Sequence, residues 1–264
     1  MKLPADLSQP AIADSLTTAW LGHERLIVVT HTGSTNADLL IQAAQGAPAG
    51  TVLVADHQNA GRGRKVRQWF NQPGRDLLVS VLFRPPSPVD QWPGLVLAAG
   101  IAAYKTLTEY SPEALRLKWP NDILLNGRKV CGILCQTQLS DSPAVVVGIG
   151  LNVNSIPEEY PDDLSATATS LAAVAGNPLP RDKLLVRLLF HLEKWYELWL
   201  HDRPQVWRRW EQLAQIENQN VTVMEETRTY PARAEGLNAD GSLRVRVNNE
   251  LRHVACGDVL LTED

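Results

Sequence analysis

Residues 58–69 read Gln58-Asn59-Ala60-Gly61-Arg62-Gly63-Arg64-Lys65-Val66-Arg67-Gln68-Trp69, and this stretch narrows the choice of fold more than any other. Four cations stand within the six positions from Arg62 to Arg67, on a backbone that glycine keeps flexible. Arginine forks suit phosphate or carboxylate oxygens, and glycine lets backbone N–H groups approach them. An anion-binding loop and a solvated basic loop both fit this composition. Trp69 favours the binding loop, because its ring can pack on a ligand.

The glycine spacing excludes two nucleotide-binding folds. Gly61-x-Gly63 is followed by Val66 rather than by glycine, so the stretch is not the fingerprint of a dinucleotide-binding fold. The sequence also lacks the G-x-x-x-x-G-K-[ST] pattern of a phosphate-binding P-loop. A different arrangement of strands and helices must therefore carry the loop.

The pattern around the loop mixes both kinds of element. Apolar, β-branched runs predict strands at 26–30, 51–55, 77–83, 115–118, 123–125, 129–139 and 144–153. Helical spacing predicts helices over 11–20, 92–110 and 181–215, and one that begins with the capping residues 34–38 and ends at 46–50. Asn126-Gly127 is a strong hairpin signal.

The pattern changes after Glu217. Short alternating strands are predicted at 220–224, 230–236, 243–247 and 251–256, with turns at Asp240-Gly241 and Asn248-Asn249. Such a segment is typical of a small five-stranded barrel. We therefore predict an α+β fold with two domains, residues 1–217 and 218–264.

Composition limits the function classes. The chain has 264 residues, 44% of them hydrophobic, and a net charge of −4. These values predict a folded protein and oppose a broad nucleic-acid-binding surface. No apolar run approaches the ~20 residues of a membrane span, and the first residues lack the apolar region of a signal peptide. Cys131, Cys135 and Cys256 do not form a disulfide framework, so we expect the cytoplasm.

Three further segments combine chemistry-bearing residues with turns or glycines. They are Lys118-Trp119-Pro120-Asn121-Asp122-Ile123, Asn126-Gly127-Arg128-Lys129-Val130-Cys131-Gly132-Ile133-Leu134 and Gly148-Ile149-Gly150-Leu151-Asn152-Val153-Asn154. The first can bind phosphate or a metal, or form an Asx turn, and alone the turn is favoured. Lys129 alone fits a surface hairpin cation. Gly132 and Gly150 within strands indicate close approach of a ligand or another backbone, or a weakened edge strand.

Taken together and in order, these segments resemble the biotin–protein ligases. The resemblance rests on Ser34-Thr35-Asn36, Gln58, Gly61-Arg62-Gly63-Arg64 through Trp69, the Lys118 segment, Lys129 with Gly132, and Gly150-x-Asn152-x-Asn154. It covers residues ~25–264 and implies a class II synthetase-like mixed sheet with helices, followed by an SH3-like barrel. Since only about 25 residues precede the first predicted strand, we expect the type without an N-terminal DNA-binding domain and without repressor function.

The resemblance implies a two-step reaction. Biotin and ATP, with Mg²⁺, form biotinyl-5′-AMP, and a lysine of the biotin carboxyl carrier domain of acetyl-CoA carboxylase then takes the biotinyl group. Arg64 and Lys129 are the expected catalytic residues. The expected substrate-binding residues are Ser34, Thr35, Asn36, Gln58, Gly61, Arg62, Gly63, Arg64, Trp69, Lys129, Gly132, Gly150 and Asn152. Asn121 and Asp122 are candidate metal-related residues. We expect a monomer or homodimer with no membrane or nucleic-acid partner.

Two positions depart from the family pattern. Val66 stands where the family usually has glycine, which stiffens the loop, and Gln136 stands where it often has glutamate. We also expect the loop at 59–70 to be mobile without ligand and to close over the intermediate.

Three alternatives stay open. One is a lipoate or octanoate ligase with the same chemistry. Another is a nucleic-acid-binding module, although residues 218–264 hold five arginines against eight acidic residues. The last is a carrier-docking protein that has lost its activity.

Overall fold

The computed structural model describes residues 5–111 and 115–261, and they form the predicted α+β architecture with two sheets. The strands of the large sheet are β1 (Leu26–Thr32), β2 (Val52–Gln58), β3 (Leu77–Phe83), β4 (Leu115–Lys118), β5 (Asp122–Leu125), β6 (Arg128–Gln138) and β7 (Ala144–Leu151). Their order is β1-β2-β3-β7-β6-β5-β4. β1 and β2 pair in parallel, and the other neighbours pair antiparallel, so the sheet is mixed.

The described ranges contain seven α-helices. They are α1 (Gln9–Ser15), α2 (Thr35–Ala44), α3 (Leu95–Thr108), α4 (Asp162–Ser165), α5 (Leu171–Ala175), α6 (Arg181–His201) and α7 (Arg203–Ala214). α2 packs on one face of the sheet, against β2, β3, β6 and β7. α3 packs against β4, β5 and β6, and α6 and α7 pack on α3. The buried side chains therefore fall into a large cluster with α3, α6 and α7 and a small cluster beneath α2.

The second sheet follows α7 and is antiparallel. Its strands are β8 (Asn220–Met224), β9 (Thr229–Leu237), β10 (Leu243–Val247), β11 (Glu250–Val254) and β12 (Asp258–Leu261), in the order β11-β10-β9-β8-β12. Its interior residues belong to the same large hydrophobic cluster as α6 and α7. Residue 217 as a domain boundary therefore stays a prediction, and residues 1–4, 112–114 and 262–264 of the two expected domains lie outside the described ranges.

Local sequence signals explain several of these elements. Ser34 caps α2, and its hydroxyl accepts a hydrogen bond from the Ala37 N–H at 3.5 Å. Asn126 and Gly127 both have positive φ, 52° and 76°, as a two-residue hairpin turn between β5 and β6 requires. Asn248 and Asn249, between β10 and β11, also have positive φ, 48° and 68°. These predicted turns are confirmed.

Three predicted helices have different bounds. The segment 11–20 is helical only to Ser15, because the backbone N–H groups of residues 19–21 donate to the Glu193 carboxylate instead of continuing the helix. The segment 92–110 begins as a 3-10 helix, Val89–Gly94, which contains Pro93. The segment 181–215 breaks at Asp202, which ends α6 and caps α7 through the Gln205 N–H.

Two parts of the fold were not predicted from the sequence. β12 follows the short turn after Val254, where the sequence predicted a longer β11. The segment between β7 and α6 holds α4, α5 and a 3-10 helix, Pro157–Glu159, none of them predicted. All are five residues or shorter, so they span too few turns for a hydrophobic period to show.

A buried guanidinium joins three parts of the chain around the large sheet. Arg181, at the start of α6, is 0% exposed. It donates to both oxygens of Asp6 at 2.8 Å, to Asp56 in β2 at 2.7 Å and to the Asp76 carbonyl at 3.1 Å. Burial raises the pKa of the neighbouring Asp76 carboxyl to about 6, against the hydrogen bond from Ser155. The N-terminal segment, β2 and the start of β3 are thus fixed to one helix end.

We predict that Arg181→Met lowers the free energy of unfolding by about 3–5 kcal/mol, since it leaves the Asp56 carboxylate buried without its partner. Urea denaturation of the whole chain measures the change. The control is Arg187→Met on the same helix, which breaks a half-exposed pair with Glu109 and should cost about 0–1 kcal/mol. Equal losses in the two variants would contradict this account of Arg181.

Candidate active site

A cavity of about 1090 Å³ lies beside the N-terminal end of α2, on the same face of the large sheet. Its floor consists of two rows of residues that pair across β3, β7 and β6. One row is Leu78, Gly150 and Gly132, and the next is Gly148 and Leu134, whose partner on β3, Ser80, is buried and does not line the cavity. Three of these five lining residues are glycines, which carry no side chain into the cavity.

Each floor glycine makes room for a side chain of the protein itself. A Cβ on Gly150 would lie 2.5 Å from the Trp69 ring, and one on Gly132 would lie 2.6 Å from it. A Cβ on Gly148 would lie 2.1 Å from Asn36 Oδ1. The strand glycines predicted close approach of a ligand or another backbone, whereas the groups that lie nearest to them among the described residues are side chains, chiefly those of Trp69 and Asn36.

The polar end of the cavity lies where α2 begins. The Thr35 N–H donates to Gln58 Oε1 at 2.7 Å, and the Thr35 hydroxyl lies 3.0 Å from the same oxygen. Asn36 Nδ2 donates to the Leu134 carbonyl and to Gln136 Oε1, at 3.1 and 2.9 Å. Gln136, one of the two departures, thus holds a cavity residue, and a glutamate could accept the same bond.

The glycine- and arginine-rich loop closes one side of the cavity as a small hairpin. Trp69 N–H donates to the Gly61 carbonyl at 2.9 Å, and Gly63 N–H donates to the Arg67 carbonyl at 2.7 Å. Arg64–Val66 forms a 3-10 turn in which Lys65 has a φ of 52°. The side chain of Val66 lies outside the described part of the structure, so the expected stiffening of the loop stays a prediction.

Arg64 connects this loop to the second sheet. Its guanidinium donates to Asp258 Oδ1 at 3.0 Å, to the Gly257 carbonyl at 2.9 Å and to Asn121 Oδ1 at 3.2 Å. Lys65 and Arg67 each place a nitrogen 3.3 Å from Asp258 Oδ2. Partial burial works to raise the pKa of Asp258, but the three cations outweigh it, so this pKa lies below its usual range.

Lys129 supplies a second cation from the opposite wall. Its ammonium lies 2.7 Å from Asp122 Oδ1 and 5.3 Å from the centre of the Trp69 ring. Its backbone pairs with the segment around Ala168, through the Lys129 N–H to Thr167 and the Thr169 N–H to Lys129. The segment between α4 and α5 thus fixes the strand that carries this lysine.

The two candidate metal-related residues contact cations. Asn121 Oδ1 accepts from Arg64, and Asp122 Oδ1 pairs with Lys129. Among the described residues, no group of three or more His, Cys, Asp or Glu side chains is placed to hold a metal ion. The role of Asn121 and Asp122 as metal-related residues therefore stays a prediction.

The cavity collects all but one of the residues predicted for the site. Its lining includes Ser34, Thr35, Asn36, Gln58, Arg62, Gly63, Arg64, Trp69, Asn121, Asp122, Lys129, Gly132, Gly150 and Asn152. Gly61 is absent from the lining and packs instead against the Trp69 backbone, 2.9 Å from the position of a Cβ to the carbonyl oxygen. Asn152 lines the cavity, but its amide donates to the Thr169 carbonyl at 2.9 Å and supports the wall.

The cysteines take no part in this site. Burial raises the pKa of Cys131 well above its usual range and that of Cys135 to about 12, so both thiols stay protonated.

Sequence reasoning missed two residues that the site depends on. Asp258 comes from the far end of the chain, and no local pattern links it to the loop. Ser80 is 0% exposed and sits in the otherwise apolar strand β3. A single hydroxyl in such a run was the available signal, because a buried polar group needs partners.

Comparisons with known proteins agree with this arrangement. The sequence model of the Biotin/lipoate A/B protein ligase family matches residues 27–154, and that of the Biotin protein ligase C terminal domain matches residues 218–261. The bifunctional ligase/repressor BirA of Bacillus subtilis is 34% identical over 266 residues, covering 99% of this chain and 81% of that protein.

Two further matches cover most of the chain. The biotin–[acetyl-CoA-carboxylase] ligase of Mycobacterium tuberculosis is 41% identical over 210 residues, covering 78% of this chain and 76% of that protein. The solved structure of the biotin protein ligase from Aquifex aeolicus in complex with biotin and ATP aligns with a TM-score of 0.77 at 27% identity, covering 91% of this chain and 100% of that one. On sequence and on fold alike, the chain belongs to the biotin protein ligase family.

Proposed function

We propose that this chain activates biotin with ATP and transfers the biotinyl group to a lysine of the biotin carboxyl carrier domain of acetyl-CoA carboxylase. The observation that carries this proposal is the single cavity in which Arg64 and Lys129 face a glycine floor and a polar end. The names of the relatives, which include biotin–[acetyl-CoA-carboxylase] ligase, support the choice of substrate and carrier.

The first step joins two anions. An oxygen of the biotin carboxylate attacks the α-phosphorus of ATP, the bond to the β-phosphate oxygen breaks, and pyrophosphate leaves. Cations must offset the repulsion between the carboxylate and the phosphates and the charge that develops in the transition state. In our proposal Arg64 and Lys129 supply this charge. The three described contacts of Arg64 use three of its five N–H groups, and the other two can donate to an anion.

The second step needs no nucleophile from this chain. The carrier lysine, as a neutral amine, attacks the acyl carbon of biotinyl-5′-AMP, the bond from that carbon to the phosphate oxygen breaks, and AMP leaves. The amine loses its proton to solvent or to the departing phosphate. The mixed anhydride is reactive by itself, so the role of the protein is to hold it and to exclude water.

Magnesium enters this proposal as part of the MgATP substrate. Asn121 and Asp122 already contact cations, and the residues described around them form no set of metal donors. These two side chains would instead orient Arg64 and Lys129.

The proposal also places the protein in the cytoplasm and includes neither a membrane nor a nucleic acid among its partners. The described cysteines are free, and Cys256 is exposed, which suits the reducing cytoplasm that we expect. No helix in the described ranges is long and apolar enough to cross a membrane. Three of the loop cations contact Asp258, so the basic loop is engaged within the protein and does not favour a nucleic-acid surface.

We predict that Arg64→Ala lowers biotin-dependent exchange of labelled pyrophosphate into ATP by about 100-fold, because it removes a charge aimed at the reacting oxygens. The control is Arg228→Ala, which removes another carboxylate-paired arginine, from the turn between β8 and β9, and should exchange like the wild type. Full exchange by Arg64→Ala would contradict the assigned role. Exchange with lipoate in place of biotin would move the protein to the alternative substrate.

The loop is proposed to open and close over the intermediate, with Asp258 as its contact on the second sheet. We predict that Asp258→Asn speeds trypsin cleavage at residues 62–67 about fivefold, since exposed ion pairs hold ~0.2–1 kcal/mol each. Biotin with MgATP should slow cleavage of the wild type. Glu235→Gln, which breaks the pair with Arg246 elsewhere in the second sheet, serves as the control. Cleavage that neither Asp258→Asn nor the ligands alter would show that Asp258 does not hold the loop and that the loop does not close over the ligands.

A further inference from the structure

Ser80 has a buried hydroxyl that the proposed reaction does not use. It lies on β3 between Thr35 and Asn36, with its oxygen 2.7 Å from Thr35 Oγ1 and 2.6 Å from Asn36 Oδ1. Since Ser80 is 0% exposed, no ligand reaches it directly. Any effect on a ligand must pass through Thr35 or Asn36, which both line the cavity.

The amide orientations on either side of Ser80 are fixed by their other contacts. Asn36 must turn Nδ2 towards the Leu134 carbonyl, which only accepts, so Oδ1 faces Ser80. Gln58 must turn Oε1 towards the Thr35 N–H, which only donates. Each of the two hydroxyls therefore has an amide oxygen on its far side.

The number of hydroxyl protons then determines which oxygen donates in each of these hydrogen bonds. Three oxygen–oxygen contacts, Gln58 to Thr35, Thr35 to Ser80 and Ser80 to Asn36, share two hydroxyl protons. The contact of 2.6 Å with Asn36 Oδ1 needs the Ser80 proton, because an amide oxygen has none to give. The Thr35 proton is left to donate to Ser80 or to Gln58, and in both cases it points into the protein.

We propose that Ser80 is a positioning residue that makes the Thr35 hydroxyl a hydrogen-bond acceptor towards the cavity. The polar end of the site then selects a ligand that brings an N–H donor, as the ring urea of biotin does and the dithiolane ring of lipoate does not. This inference rests on the proposed function. It adds a physical reason why the site would bind biotin rather than lipoate, the two acids in the name of the matching Biotin/lipoate A/B protein ligase family model.

In a site built this way, the free energy lost by binding a ligand without an N–H exceeds the free energy gained from the hydrogen bond to the right ligand. A ligand without an N–H would leave the lone pairs of Thr35 Oγ1 desolvated and unpaired, which costs more than a weak contact would. The buried Ser80 hydroxyl contributes by keeping the Thr35 proton from turning to meet such a ligand.

The test is a double-mutant cycle on biotin binding, measured by calorimetry without ATP on Ser80→Ala, Thr35→Val and the combined variant. We expect Ser80→Ala to weaken binding about tenfold, the size of one net hydrogen bond. The combined variant should bind no more weakly than Thr35→Val alone, because Ser80 acts through Thr35. Additive losses, or unchanged binding by Ser80→Ala, would overturn the inference.

Two controls separate positioning from general damage. Ser242→Ala removes another buried hydroxyl, in the turn between β9 and β10, and should leave biotin binding unchanged. A biotin analogue methylated on both ring nitrogens should bind weakly to the wild type and lose little more on Ser80→Ala. An equal further loss for the analogue would refute selection of an N–H.

Three further outcomes of this test each support or refute the inference or the proposed function. If Ser80→Ala does not fold, Ser80→Cys, which nearly keeps the volume and weakens the donor, takes its place in the same cycle with the same expectation. Wild-type protein that binds no biotin would refute the proposed function itself. Wild-type binding with an unaffected Ser80 variant would refute the positioning role alone.

Discussion

The site depends on three positions in β6 and β7 where the sheet carries no side chain. Gly132 and Gly150 let the Trp69 ring lie against the strands, and Gly148 lets the Asn36 amide do so. A Cβ at any of them would overlap an atom at less than 3 Å, so the neighbouring side chain would have to leave. The position of the loop follows from this, because Trp69 ends it and its N–H closes the hairpin onto Gly61. Packing within the sheet thereby fixes where the loop cations can reach.

Charge in the cavity is balanced by carboxylates from distant parts of the chain. Arg64 meets Asp258 of the second sheet, and Lys129 meets Asp122 across the β5–β6 hairpin. Both contacts are partly exposed, so each holds its cation weakly enough for a phosphate to compete. The guanidinium of Arg181, in contrast, is buried in the interior. Arg181 is fully enclosed by Asp6 and Asp56, and it serves the architecture rather than the chemistry.

Much of the fold and of the site could be predicted where the signal is local. The Asn126-Gly127 turn and the Ser34 cap depend on a few neighbouring residues, and the structure has both. The ordered motifs identified the cavity residues because they occur in sequence segments that the sheet brings together. The contact between Arg64 and Asp258 spans 194 residues and leaves no periodic trace, so it could not be predicted. The break at Asp202 was hidden for another reason, since apolar spacing continues on both sides of it.

The hydrogen-bonded chain from Gln58 through Thr35, Ser80 and Asn36 to Gln136 contains amides and hydroxyls only. None of these groups gains or loses a proton in the range where proteins stay folded. The end of the cavity that would recognise the ring of the acid is therefore insensitive to acidity. The end that would handle phosphate depends on carboxylates such as Asp258, which do titrate. Acidification would thus act on the two ends unequally, leaving recognition of the ring intact while it weakens the anchoring of the loop.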